Sequence, residues 1–308
     1  LVQPRQGAGF FVKAQRLALG AAQSTPQPDP VPDRIDVNWL LHSMFRNGSA
    51  SGMPGSLGLL PPEWLDPELL AGAVRAVSRA GGGAQLLGYG HPQGYPALRE
   101  QLAARLQDEG MPAQADRNLL ITAGVTHGLD LLLRLLVEPG DTVLVEDPAW
   151  YLIFGRLAAF GARFVGVPRG PEGPDVAALE RLAAEHKPKL FLINSVVHNP
   201  TGHSLSAGAA YEVLRCAERH DFLIVEDDTY ADLHPGAALR LAALDRLQRV
   251  ILVGGYAKTL GAGLRVGYLA ARPELVQRLT DLKLLAGLTT PELGERVVHR
   301  LLLEGHYL

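Results

Sequence analysis

Cysteine is almost missing from this chain: Cys216 is the only one in 308 residues. An internal disulfide is therefore excluded, and such sparing use fits a reducing cytoplasm. No excess of either charge is available, with 29 basic against 32 acidic residues and a net charge of −3. A balance of this kind leaves no electrostatic footprint for nucleic acid or an anionic membrane surface. Apolar stretches such as residues 129–137 are broken by an arginine or a proline well short of a membrane span. There is no secretory signal, no internal repeat and no initiating methionine. The start at Leu1 implies a piece of something longer. What is present is ordinary for a globular protein, 47% hydrophobic and 20% charged, at a length that suits one large domain and part of another.

Organisation changes along the chain. Residues 1–14 are glycine-containing and β-prone towards their end. Residues 15–34 include AQSTPQPDPVPDR, with four prolines and no apolar periodicity, and read as an extended linker. Residues 35–60 form an arm with a short helix expected over 37–45 and a Gly/Ser-rich loop after it. From Pro61 the pattern becomes regular. A helix is expected around 63–79, and another opens at Pro96, with Leu98, Leu102 and Leu106 on one face. Short apolar strands then alternate with helices: strands at 118–122, 142–146, 163–167, 189–194, 222–227 and 249–254, and helices at 126–137, 150–160, 175–186 and 206–220. This alternation predicts an α/β fold with a mostly parallel sheet flanked by helices.

The chemically loaded residues gather just after the strands, where the ligand crevice of an open parallel sheet lies. Lys258 follows an apolar strand, so its charged form is disfavoured and its amine is a candidate nucleophile; a surface lysine in a glycine-rich loop is the plainer alternative. Arg265 is a fixed cation suited to a phosphate dianion. The turn 122–126 offers the backbone N–H groups of Val125 and Thr126 at a helix start, with the Thr126 hydroxyl as a further donor, although an ordinary helix cap would look the same. Asp227 leaves an apolar strand as a carboxylate that needs a buried cation, a nearby arginine or a capping role. Tyr230 and Asn199 can both donate hydrogen bonds to a phenolate oxygen. Trp150 can cover a flat ring, and a plain core aromatic is the alternative for it and for Tyr230.

Taken together, these motifs resemble the fold-type I pyridoxal 5′-phosphate (PLP) enzymes of the class I/II aminotransferase group, in order over roughly residues 60–308. His198-Asn199-Pro200-Thr201-Gly202 matches the HNPTG turn, Asp227 to Tyr230 the strand-end D-x-x-Y, and Tyr256 to Gly267 the lysine segment with its phosphate arginine. The resemblance implies a Schiff base on Lys258, Asp227 against the pyridine nitrogen, and Asn199 and Tyr230 on the phenolate oxygen. It also implies Trp150 stacked on the ring and the phosphate held by Val125, Thr126 and Arg265. Tyr89 matches a tyrosine that reaches the phosphate of a neighbouring subunit, which implies a homodimer. Two departures stand out. Gly255 and Ala257 occupy positions where the group has serines, which removes at least one phosphate contact. The arginine that clamps a substrate carboxylate has no counterpart, so residues 275–308 are expected to be the start of a truncated small domain that follows a large PLP-binding domain over 61–274.

Arg5-Gln6-Gly7-Ala8-Gly9-Phe10-Phe11-Val12 resembles the last strand of the winged helix-turn-helix in GntR-type regulators, so residues 1–14 read as the remnant of a wing. Wing, proline-rich linker and PLP domain follow the order of the MocR-type regulators. The resemblance implies an effector domain that senses PLP or a small amino compound through Lys258 and meets DNA only through a winged domain absent from this chain. A stand-alone aminotransferase acting on an amino acid is the alternative, with the same site serving both.

Overall fold

The computed structural model describes residues 2–5, 9–12, 42, 58–79 and 86–305. The expected linker over 15–34 lies outside the described residues, as does the expected helix at 37–45 apart from His42. By packing the chain divides into residues 1–36 and residues 37–308. In the first unit, β1 (Val2–Arg5) and β2 (Gly9–Val12) form an antiparallel hairpin, with Val2 opposite Val12 and Arg5 opposite Gly9.

The second unit begins, among its regular elements, with a short 3-10 turn, Pro62–Trp64, and helix α1 (Pro67–Val77). The expected single helix around 63–79 is thus two elements, because Asp66 caps a new start by accepting from the Leu69 N–H at 2.9 Å. Helix α2 (Pro96–Asp108) opens on proline as expected and buries Leu98, Leu102 and Leu106. Strands β3 (Leu119–Thr122), β4 (Thr142–Asp147), β5 (Arg163–Gly170), β7 (Leu190–Ile193), β8 (Leu223–Asp227) and β9 (Val250–Gly255) fall on the apolar runs. Between them lie α3 (Val125–Leu136), α4 (Leu152–Ala159), α5 (Val176–His186), α6 (Ala207–His220) and the short α7 (Leu241–Asp245). Asp175 and Ser206 cap α5 and α6 through their side chains. Two strands carry no motif in the sequence: the two-residue β6 (Gly173–Pro174) and β10 (Gly267–Ala270).

The sheet order is β3-β10-β9-β8-β7-β4-β5-β6. The run from β9 to β5 is parallel, while β10 is antiparallel to both β3 and β9 and β6 is antiparallel to β5. Successive residues of each strand feed different cores. Leu119, Ile121, Leu144, Phe191, Ile193 and Ile224 join one with α2, α5 and α6. Leu120, Val143, Val145, Leu192, Val225 and Ile251 join the other with α3 and α4. Both faces of the central strands are covered, so those strands are mostly apolar rather than alternating, while β5, near the edge, is largely exposed.

The chain closes with α8 (Pro273–Gly287) and α9 (Glu292–Leu303). Leu275, Val276 and Leu279 of α8 belong to the same core as α3, so packing continues across the 274/275 boundary expected from sequence. Among the described residues no helix is long and apolar enough to cross a membrane.

Candidate active site

The carboxyl ends of β4, β7, β8 and β9 and the turn after β3 carry the residues singled out in the sequence. A cavity at this edge is lined by Trp150, Asn199 and Asp227, together with Glu146, Asn194 and His198. Apolar strand residues Val145, Leu192 and Val225 form its floor.

Asp227 ends β8. Its Oδ1 accepts from the Thr229 N–H at 2.9 Å and from the Thr229 hydroxyl. Burial pushes its pKa up, while the hydrogen bonds from Thr229 and the Lys258 charge pull it back down. Its neighbour Asp228 is turned away and buried, its Oδ1 2.8 Å from Nε of Arg240, and burial raises it to about 8. The two adjacent carboxylates therefore serve different partners.

Lys258 follows β9. Burial lowers its pKa, Asp227 opposes that, and Arg265 lowers it further. Its Nζ lies 5.9 Å from the centroid of the Tyr230 ring. The Tyr230 hydroxyl donates to the Gly58 carbonyl at 3.3 Å, and burial raises its pKa to about 12. Gly58, in the arm that precedes the regular fold, thus closes over this pair: a Cβ there would stand 2.6 Å from the Tyr230 hydroxyl and 3.6 Å from Lys258 Nζ. Its backbone is left-handed (φ +57°), which suits glycine.

The turn between β3 and α3 is a cradle only glycine permits. Gly124 has φ +82°, and a Cβ would fall 2.7 Å from Nη2 of Arg265. That nitrogen donates to the Ala123 carbonyl at 2.9 Å, which brings the guanidinium against the start of α3, where Val125 and Thr126 present their N–H groups. Arg265 is exposed and itself left-handed (φ 52°), an uncommon state for a side-chain-bearing residue and one that costs about 1 kcal/mol. His127 fixes the same turn by accepting from the Ala123 N–H at 3.0 Å. At Gly255, a Cβ would sit 3.1 Å from the Val266 carbonyl oxygen and 3.2 Å from the Gly267 Cα, tighter than ordinary contact. The approach of β10 thus leaves little room for a side chain at Gly255. Tyr89 is 82% exposed on the loop before α2.

Sequence reasoning passed over Asn194, Glu146, Gly58 and His127. Asn194 and Glu146 carried a signal: each is a polar residue at the carboxyl end of an otherwise apolar strand. Gly58 and His127 act through contacts that local pattern does not encode.

The residues present fit a phosphorylated pyridine. The glycine cradle, helix start and arginine suit an anion, and the cavity beside Trp150 suits a flat ring and is lined by the half-buried Asp227 carboxylate. The Lys258 amine, of lowered pKa, stands beside Tyr230 and is not among the residues that line this cavity. Residues 63–303 match the aminotransferase class I and II family. A 2-aminoadipate transaminase of Thermus thermophilus is 35% identical over 257 residues, which is 80% of this chain and 62% of that protein. An uncharacterized HTH-type transcriptional regulator of Escherichia coli, YjiR, is 31% identical over 321 residues, covering 100% of this chain and 65% of its own length. The crystal structure of the α-aminoadipate aminotransferase LysN from Thermus thermophilus, complexed with N-(5′-phosphopyridoxyl)-L-leucine, matches with a TM-score of 0.75. It is 30% identical in sequence, over 88% of this chain and 72% of that one. The chain spans less than two thirds of the length of either curated relative. In sequence and in sheet architecture alike, the chain belongs to the aminotransferase class I and II family, of fold-type I, whose cofactor is pyridoxal 5′-phosphate.

Proposed function

We propose that this chain is the PLP-binding effector domain of a GntR/MocR-type transcriptional regulator, sensing PLP or a small amino compound. The observation that carries this reading is the reach of the YjiR similarity. It runs through all of this chain, including the β1–β2 hairpin that we read as the end of a wing, whereas the transaminase similarity covers 80%. A stand-alone aminotransferase is the second reading, favoured by the 35% identity to the Thermus transaminase.

The site residues have the same roles in both. Lys258 is the covalent anchor: burial raises its share of neutral amine, the form that bonds a carbonyl carbon and can afterwards carry a proton. Asp227 holds a proton on the ring nitrogen, and the cation there offsets the cost of its own burial. Asn199 would donate to the phenolate oxygen, as would Tyr230 once its hydroxyl leaves the Gly58 carbonyl, and Trp150 would cover the ring and exclude water from one face. Val125, Thr126 and Arg265 hold the phosphate. Tyr89, exposed here, reaches the phosphate of the partner in a homodimer. When bound, PLP supplies the electrophilic carbonyl and an electron-withdrawing ring. In a regulator, occupancy by the amino compound shifts the conformational balance rather than driving turnover.

Two assays on the full-length protein separate the readings: transamination with a panel of amino acids, and DNA retention with and without PLP. Specific retention on paired half-sites with poor turnover is expected, because a PLP-domain dimer carries paired winged domains. Rapid turnover of a common amino acid without DNA retention leaves the aminotransferase reading standing. Borohydride reduction followed by peptide mapping is expected to fix the pyridoxyl group on Lys258; another lysine would refute the site assignment.

A further inference from the structure

Asn194, the residue after β7, is bonded on every side, although nothing in the motifs assigns it a role. Its N–H donates to Oε2 of Glu146 at 2.8 Å. Its side-chain oxygen accepts from the Asn199 N–H at 2.6 Å. Its side-chain nitrogen donates to the Asp227 carbonyl at 2.6 Å and to the Val196 carbonyl at 3.3 Å. The amide has one possible orientation, because a flip would set NH2 against the Asn199 N–H and oxygen against two carbonyls. Asn194 is buried and lines the cavity beside Trp150, Asn199 and Asp227.

One planar group therefore spans the two turns that supply proposed contacts to opposite sides of the ring, the ring-nitrogen partner Asp227 and the phenolate donor Asn199. Through Glu146 it is also tied to the end of β4, next to the turn that bears Trp150. Asn199 follows β7 and Asp227 ends the neighbouring β8, and the pairing of these strands and the Ser195–Glu226 hydrogen bond hold the strand ends together. Among the described residues, Asn194 alone bonds directly to both the Asn199 and the Asp227 backbone. The Asp227 carboxylate is steadied by Thr229, but the backbone on which it stands is tied to the Asn199 turn through Asn194. We infer that Asn194 is a positioning residue that sets the spacing between Asn199 and Asp227 to which the cofactor ring binds. The inference rests on the PLP reading above. Misplacement of such groups by about 1 Å costs on the order of 100-fold where geometry decides the interaction.

The test is a set of variants, Asn194→Ala, Asn199→Ala and the double, titrated with PLP as apoproteins. Two readouts are followed: the dissociation constant from the visible band, and the pH midpoint of that band. A donor on the phenolate oxygen favours its ionised form, so losing it raises the midpoint. Asn194→Ala is expected to weaken PLP binding by ~10- to 100-fold and to raise the midpoint, in the same direction as Asn199→Ala. In the double variant the midpoint is expected to move no further than in Asn199→Ala alone, since residues acting through one contact are not additive. If Asn194→Ala fails to fold, Asn194→Asp keeps the shape and the acceptor for Asn199 but sets oxygen against the Asp227 and Val196 carbonyls. It is expected to weaken PLP binding by a similar factor while the apoprotein still unfolds cooperatively. A fully additive midpoint, or a loss of thermal stability with wild-type affinity and midpoint, would show a merely structural residue and overturn the inference. Absence of any visible band in the wild-type protein would instead overturn the PLP reading, and the inference with it.

Discussion

Gly267, the first residue of β10, stands against the backbone of the phosphate cradle, and enlarging it is the sharpest test of that cradle's construction. A Cβ at 267 would lie 2.6 Å from the Gly124 carbonyl carbon and 2.8 Å from both the Gly124 Cα and the Val125 nitrogen. All three are backbone atoms, so no side-chain rotation relieves the clash. To reach ordinary contact, which begins near 3.4 Å, the cradle must retreat by about 0.8 Å. Overpacking of this kind costs about 1–3 kcal/mol. The same retreat displaces the Val125 N–H within the cradle, and a shift approaching 1 Å weakens a convergent anion site by ~10- to 100-fold. Gly267→Ala is therefore expected to lower the apoprotein's unfolding free energy by about 1–3 kcal/mol in denaturant and to raise the PLP dissociation constant as well. Gly72, inside α1 with nothing within 4 Å of a Cβ, is the control. Gly72→Ala is expected to stabilise by about 0.5–1 kcal/mol and leave PLP affinity unchanged. If Gly267→Ala matches wild type in both stability and affinity, β10 does not buttress the cradle and the reasoning fails.

The adjacent aspartates are expected to separate cleanly. Asp227→Ala abolishes or strongly shifts the visible band of bound PLP, whereas Asp228→Ala leaves the buried Arg240 with Glu109 as its remaining carboxylate partner and costs about 1–3 kcal/mol of stability while the folded fraction keeps a normal band; equal spectral effects would refute the distinction. His198 is expected to make the protein acid-sensitive. Burial, assisted by the Arg169 charge, lowers its pKa from 6.5 to about 4, so the unfolded chain binds a proton between those values that the folded one refuses. The stability involved is present in full above pH 6.5 and lost as pH falls through about 4, amounting to about 3 kcal/mol for a shift of this size. Unfolding curves over that window should be flatter for His198→Gln than for wild type, and an identical slope would remove His198 as the cause.

Much of this molecule was legible along the chain. The central strands β3, β4, β7, β8 and β9 are mostly apolar because helices cover both faces, and that composition is local. The strand-end residues Lys258, Asp227, Asn199 and Arg265 are recognisable because their chemistry is out of place beside such strands. Strand β10 was not legible: its Tyr268, Leu269 and Ala270 make a short apolar run, and only its antiparallel fit between β3 and β9 makes it a strand.

The alternation of elements, the mostly parallel sheet and the identity of the groups at its carboxyl edge are written into the order of residues. Each follows from a residue's own propensity and near neighbours. Which atoms meet is settled instead by the packed fold. Asp228 pairs with Arg240, Gly255 lies against the start of β10, and Asn194 joins the Asn199 turn to Asp227. Such contacts join residues far apart in sequence, and strand order and register, rather than local pattern, set the distances between them.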